Sequence, residues 1–145
     1  MDQRLSFKDL APEAYEALST LDRYVRRHVD GTLLTLVKLR ASILNGCSFC
    51  VDMHSRDALA HGEDSRRLFG VAAWEDSPFF TDRERAALAL TDAVTRLAPG
   101  GVSDEVWGAA AAAFEDEDLA ALLAAIIGIN AWNRLAVPTR LAVPR

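Results

Sequence analysis

The stretch LLTLVKLRASILNGCSFCVDMH, Leu33 to His54, decides what kind of fold this chain adopts. Its first half places Leu33, Leu34, Leu36, Val37, Leu39, Ile43 and Leu44 around most of a helical circumference. A helix that is apolar nearly all round is a buried one, so a central helix is predicted over about Thr32 to Leu44. Asn45-Gly46 reads as its C-cap, because glycine reaches the left-handed backbone region without steric cost. Another helix opens at the cysteines and runs to about Ala60, with His61-Gly62 as its exit.

Working outward, helical signals recur and period-two alternation is missing. Toward the N-terminus, Pro12 suits a first helical turn, and a helix from about Pro12 to Val29 carries the stripe Ala14, Leu18, Leu21 and Val25. Toward the C-terminus, a short helical piece near Ser65 to Phe69 precedes a loop, Trp74 to Phe80. Thr81 and Glu84 form a capping box for a helix bearing Leu88, Val94 and Leu97, stopped by Pro99-Gly100-Gly101. Ser103 caps a helix over about Asp104 to Phe114, and Asp116 opens a last one, about Glu117 to Leu135, before Pro138. Short connections favour antiparallel neighbours. The expectation is an all-α fold: one domain, residues 1–145, built as a compact antiparallel bundle of six or seven helices. Phe49, Phe69, Trp74, Phe79 and Phe80 are expected in the core or a pocket wall. The small residues of the last helix, such as Ala121, Ala125 and Gly128, suit either internal packing or a subunit contact.

The 145 residues carry a net charge of −5, half of them are apolar and 26% are charged. Such a chain can bury a full core. Nucleic acid and anionic membranes are disfavoured as partners, since both require a basic face. The N-terminus has no apolar signal-peptide region, and Leu119 to Ala131 is too short to span a bilayer. Two cysteines without an export signal read as a redox or metal pair in a cytoplasmic protein.

Cys47 and Cys50 lie three positions apart at a helix start. Residues at i and i+3 share a face, with α-carbons roughly 5 Å apart, inside the window a disulfide requires. A helix N-terminus stabilises negative charge and so raises the thiolate fraction. Cys50 is placed for attack on an external substrate and Cys47 for resolving the product. His54 lies one turn beyond Cys50 on the same face, where an imidazole can move a proton at neutral pH. Other readings stand beside this one: two inert core cysteines, a His54 that only packs, or a zinc site completed by His61. The last is strained. His61 is seven residues past His54, roughly 10 Å along a helix, whereas zinc–nitrogen bonds are about 2 Å. His28 and His61 read as surface or helix-end residues.

The run Leu36 to His54 resembles the carboxymuconolactone decarboxylase-like superfamily, in particular its AhpD-like alkylhydroperoxidase branch. Arg83 to Leu88 and Ile129 to Arg134 also look like later parts of that family. The resemblance covers roughly Leu33 to Arg134. It implies an all-helical fold, a homo-oligomer (commonly a trimer or hexamer), and peroxide reduction through a dithiol–disulfide cycle. By position, Cys50 matches the peroxidatic cysteine, Cys47 the resolving one, and His54 the histidine of the proton relay. One position departs. The family's relay glutamate falls twelve residues before the first cysteine, and here that position is Thr35. Glu84 or Asp57 could stand in for it, although the capping box accounts for Glu84.

The expected function is thus a thiol-dependent hydroperoxide reductase whose disulfide is reduced by an external dithiol, with a lipoyl or thioredoxin-like protein as the candidate. No metal, flavin or nucleotide is called for, since neither a GxGxxG nor a P-loop pattern occurs. Two alternatives remain open: a dithiol oxidoreductase or redox sensor with little peroxidase activity, and a non-enzymatic oligomeric scaffold.

Overall fold

The computed structural model describes residues 2–144. They form eight α-helices, one 3-10 turn (Val71–Ala73) and no strand. The helices are α1 (Phe7–Leu10), α2 (Pro12–His28), α3 (Gly31–Leu44), α4 (Ser48–Ala60), α5 (Ser65–Gly70), α6 (Asp82–Arg96), α7 (Asp104–Ala113) and α8 (Asp116–Thr139).

The helix missed by the sequence reading is α1. It is a single turn, braced by Ser6 Oγ donating to Asp9 at 2.6 Å. Pro12 keeps it separate from α2, because the residue before a proline is pushed out of the helical region; Ala11 has φ −136°. Along α2, Ala14 is exposed and Tyr15 turns inward instead, its ring edge-on to Trp132 at 5.1 Å.

As expected, α3 is central. It packs against α4, α6, α8 and the 3-10 turn, and so is buried on nearly every side. One part of the core gathers Val25, Val37, Leu90, Leu122 and Ile126. A second joins Leu36, Leu39, Leu68, Trp74 and Leu88. A third holds Ala41, Ile129 and Ala136 together with both cysteines. Each fully buried leucine or isoleucine contributes about 1.5–3 kcal/mol, so the centre of α3 anchors the fold.

The capping box at Thr81 and Glu84 and the Ser103 cap form as expected. Three expectations are corrected. Phe69 is 78% exposed, because its side of the short α5 faces outward. Leu97 lies beyond α6 in a left-handed cap (φ 37°) and is exposed. The last helix does not end near Leu135 but continues through Pro138 to Thr139. Pro138 cannot donate a backbone hydrogen bond, and this loss falls in the final turn. There the Thr139 hydroxyl donates to the Leu135 carbonyl at 2.8 Å. The N-terminal segment covers the open end, with Arg4 N donating to the Thr139 carbonyl and Arg4 Nη1 to that of Pro138. At 24 residues α8 is long and apolar enough to cross a membrane, unlike the shorter run read from sequence. Here it packs along α2 and α3 as a core helix.

Candidate functional site

The α3–α4 junction is tight. Gly46 (φ +64°) turns the chain, and the Cys47 N–H donates back to the Ser42 carbonyl at 2.9 Å. Cys47 becomes the N-cap of α4 with its side chain free of capping, and Cys50 follows in the first turn. Two asparagines of α8 lock the junction from the other side. Asn45 donates to Asn130 at 3.0 Å and to Asn133 at 2.9 Å. Asn133, itself buried, donates to Ser42 Oγ at 3.1 Å. A buried polar group must be paired, so this network fixes one register of α8 against the cysteine turn.

Cys47 and Cys50 are free thiols, 2% and 3% exposed. Their surroundings differ. Cys50 lines a cavity of about 420 Å³ whose walls include Tyr15, Phe49, Met53 and Trp132. Cys47 is not among the residues lining that cavity. The Cys50 thiol draws the Cys47 thiol down to about 6; the Cys50 and Phe49 N–H groups and the Asn133 amide add to this, against burial. Cys50 is pushed up by Cys47's hold on its proton, by burial and by the Cys47 charge. The two thiols therefore titrate as a pair, with one proton held between the two sulfurs.

His54 joins Cys50 at the same cavity and is 8% exposed. Burial and the Lys38 ammonium hold its imidazole down to about 4, against weaker opposition from Asp57 and Asp22. It is thus a neutral base at physiological pH. The stability consequence has a definite sign. Between about 4 and the ordinary imidazole value of about 6.5, the unfolded chain binds a proton that the folded chain refuses, so stability falls as pH falls through that window. The gap is worth about 3 kcal/mol. Urea unfolding at pH 7 and pH 4.5 should show His54→Gln losing less stability on acidification than the wild type. Equal losses would place His54 in a wetter environment. Asp22 and Glu84, both below the usual carboxylate range, lose their contributions at lower pH in either protein.

Neither proposed stand-in for the relay glutamate is hydrogen-bonded to His54. Glu84 is engaged by Arg67 Nη2 at 2.6 Å and by the Thr81 N–H at 2.8 Å, and it lines neither cavity at His54. Asp57 makes no hydrogen bond to His54 and lines a second cavity, of about 680 Å³. That cavity also receives Thr35, whose hydroxyl donates to the Gly31 carbonyl at 3.0 Å. His54 and Lys38 line both cavities. His61 is exposed and turns its Nδ1 to the Asp57 carbonyl. Among the described residues no group of three or more His, Cys, Asp or Glu is placed to hold a metal ion.

Lys38 and Asp22 were missed by sequence reasoning. Lys38 is 5% exposed on α3, its Nζ is 2.5 Å from Asp22 Oδ1, and both line the Cys50 cavity. A lysine inside a helix that is apolar on nearly every face was the available signal, since such residues are almost never fully buried unless paired.

Residues 10–93 match the model of the carboxymuconolactone decarboxylase family. An uncharacterized Bacillus subtilis protein, YdfG, is 33% identical over 94% of both chains. A second uncharacterized protein, YnjA of Escherichia coli, is 35% identical over 72% of this chain and 57% of its own. Among solved structures, ATU0492 of Agrobacterium tumefaciens superposes with TM-score 0.95 at 38% identity, covering 99% of each chain. It is a protein of unknown function provisionally termed an AhpD antioxidant defence protein. The debrominase Bmp8 shares the fold at TM-score 0.82 and 20% identity, over 94% of this chain and 73% of that one.

Proposed function

The chain belongs to the carboxymuconolactone decarboxylase family, and from that membership and its thiol-lined cavity we propose that it is a thiol-dependent hydroperoxide reductase of the AhpD-like kind. The observation that carries this reading is the asymmetry of the two sulfurs. Cys50 lines the cavity and Cys47 does not. Passing the shared proton from Cys50 to Cys47 puts the thiolate on the cavity side without creating a second buried charge.

The Cys50 thiolate then attacks the nearer peroxide oxygen. The O–O bond breaks, sulfur gives up two electrons, Cys50 becomes a sulfenic acid, and the leaving alkoxide takes a proton to become an alcohol. The Cys47 thiol next gives its proton to neutral His54. The resulting thiolate attacks the Cys50 sulfur, forms the disulfide and expels hydroxide, which His54 reprotonates to water. An external dithiol restores the pair by exchange, becoming a disulfide itself. The apolar walls favour an alkyl or aryl hydroperoxide over hydrogen peroxide. Homo-oligomeric assembly and a lipoyl- or thioredoxin-type reductant belong to the same proposal, on the strength of the family resemblance.

Thr35 favours a second reading, a dithiol exchange protein with little peroxidase activity. One experiment separates the two. Reduced protein is mixed with cumene hydroperoxide and a dihydrolipoyl dithiol, and peroxide loss is followed alongside the protein's mass. Multiple turnovers passing through an intramolecular disulfide are expected. A disulfide that exchanges with the dithiol while peroxide persists would leave the second reading and sink the first.

A further inference from the structure

The Cys50 cavity holds a charged pair that the proposed cycle has not used. Lys38 comes from the middle of α3 and Asp22 from α2, sixteen residues earlier. Burying an ammonium is costly unless it is paired. Here Lys38 Nζ meets Asp22 Oδ1 at 2.5 Å, and Asp22 Oδ2 is held in turn by Arg26 Nε at 2.6 Å. The ammonium is thus paired and fixed in place at the lining of the cavity shared with Cys50 and His54.

The cycle described above assigns no donor to one of its steps. Breaking the O–O bond of an alkyl hydroperoxide releases an alkoxide, a strong base that must be protonated as it leaves. Burial and the neighbouring ammonium keep His54 neutral, which suits it to accept protons. Thr35 offers no acid, and its hydroxyl is spent on its own helix.

We propose that Lys38 is a catalytic residue of this site, donating the proton that the leaving alkoxide requires, and that Asp22 is its positioning residue. The inference rests on the peroxidase reading. As Cys50 sulfur is oxidised by two electrons, the distal peroxide oxygen takes both electrons and a proton from Lys38 Nζ, leaving as an alcohol; Lys38 regains a proton from solvent. The pair thereby does with an ammonium what a relay carboxylic acid would do elsewhere.

The test exploits the leaving group. Stopped-flow oxidation of reduced protein is compared for tert-butyl hydroperoxide, which expels an alkoxide, and peracetic acid, which expels a carboxylate that needs no proton. Lys38→Met is expected to slow the first by about a hundredfold, the scale of general acid catalysis, and the second by less than about threefold. Asp22→Asn should show the same split at smaller size. Lys38→Arg keeps the charge and the ion pair but holds its proton too tightly to give it up. It should fold like the wild type, by circular dichroism, and still show the split. Equal slowing with both oxidants, or none with either, would overturn the role of Lys38 while leaving the peroxidase reading intact. Wild-type protein that neither oxidant converts to the disulfide would overturn both.

Discussion

Cys50→Ser is expected to reduce hydroperoxide turnover to background, a loss on the order of 10³-fold or more, because a hydroxyl in that turn has no activating base strong enough to replace a thiolate. Cys47→Ser is expected to act differently. Cys50 still lines the cavity in that variant, so the first oxidation proceeds, slowed because the partner that took up its proton is gone. No resolving thiol follows, and the chain should stop after one turnover as a sulfenic acid. Mass spectrometry would find one added oxygen on Cys50, and dimedone would trap it. The two substitutions together test the asymmetry of the pair. Turnover surviving Cys50→Ser would move the nucleophile to Cys47, although Cys47 does not line the cavity. Steady cycling by Cys47→Ser would mean that the external dithiol resolves the sulfenic acid directly.

What was legible in the sequence was local. The cap residues Thr81 and Ser103, the Gly46 turn and the apolar circumference of α3 each act within a few residues of themselves, and the structure has them where the sequence puts them. The Cys47, Cys50 and His54 spacing is local in the same sense, because all three share one helix. The unread part is non-local. Asn133 reaches Ser42 across ninety-one positions and Lys38 reaches Asp22 across sixteen. No periodicity announces such pairs. Asp22 falls one turn before Val25 on the buried side of α2, and nothing in its neighbours along the chain marks it out. Pro138 misled for a related reason. A proline in the last turn costs only its own bond to the carbonyl four residues earlier, and the end of that turn is closed by the Thr139 hydroxyl and the distant Arg4.

Asp92→Ala is expected to cost about 3–5 kcal/mol, a large share of what a domain of this size possesses. Asp92 on α6 receives Arg40 through two parallel hydrogen bonds, Nε at 2.6 Å and Nη2 at 2.7 Å, and also the Trp74 indole N–H at 3.2 Å. Arg40 Nη1 donates further to the carbonyls of Val71 and Ala72. Every nitrogen of the guanidinium is thus used, and the assembly ties α3 to both α6 and the 3-10 turn. Removing the carboxylate leaves a buried guanidinium with no countercharge, which is worse than having no pair at all. The double variant Arg40→Met, Asp92→Leu should therefore recover much of the stability lost by Asp92→Ala in urea unfolding. Arg40 sits two residues beyond Lys38, so the same anchor fixes the rotation of α3 that turns Lys38 toward Cys50. In the single variant hydroperoxide turnover should fall along with stability, and in the double variant both should return. A stable Asp92→Ala protein would show that the guanidinium reaches water, and that α3 is held by its apolar contacts alone.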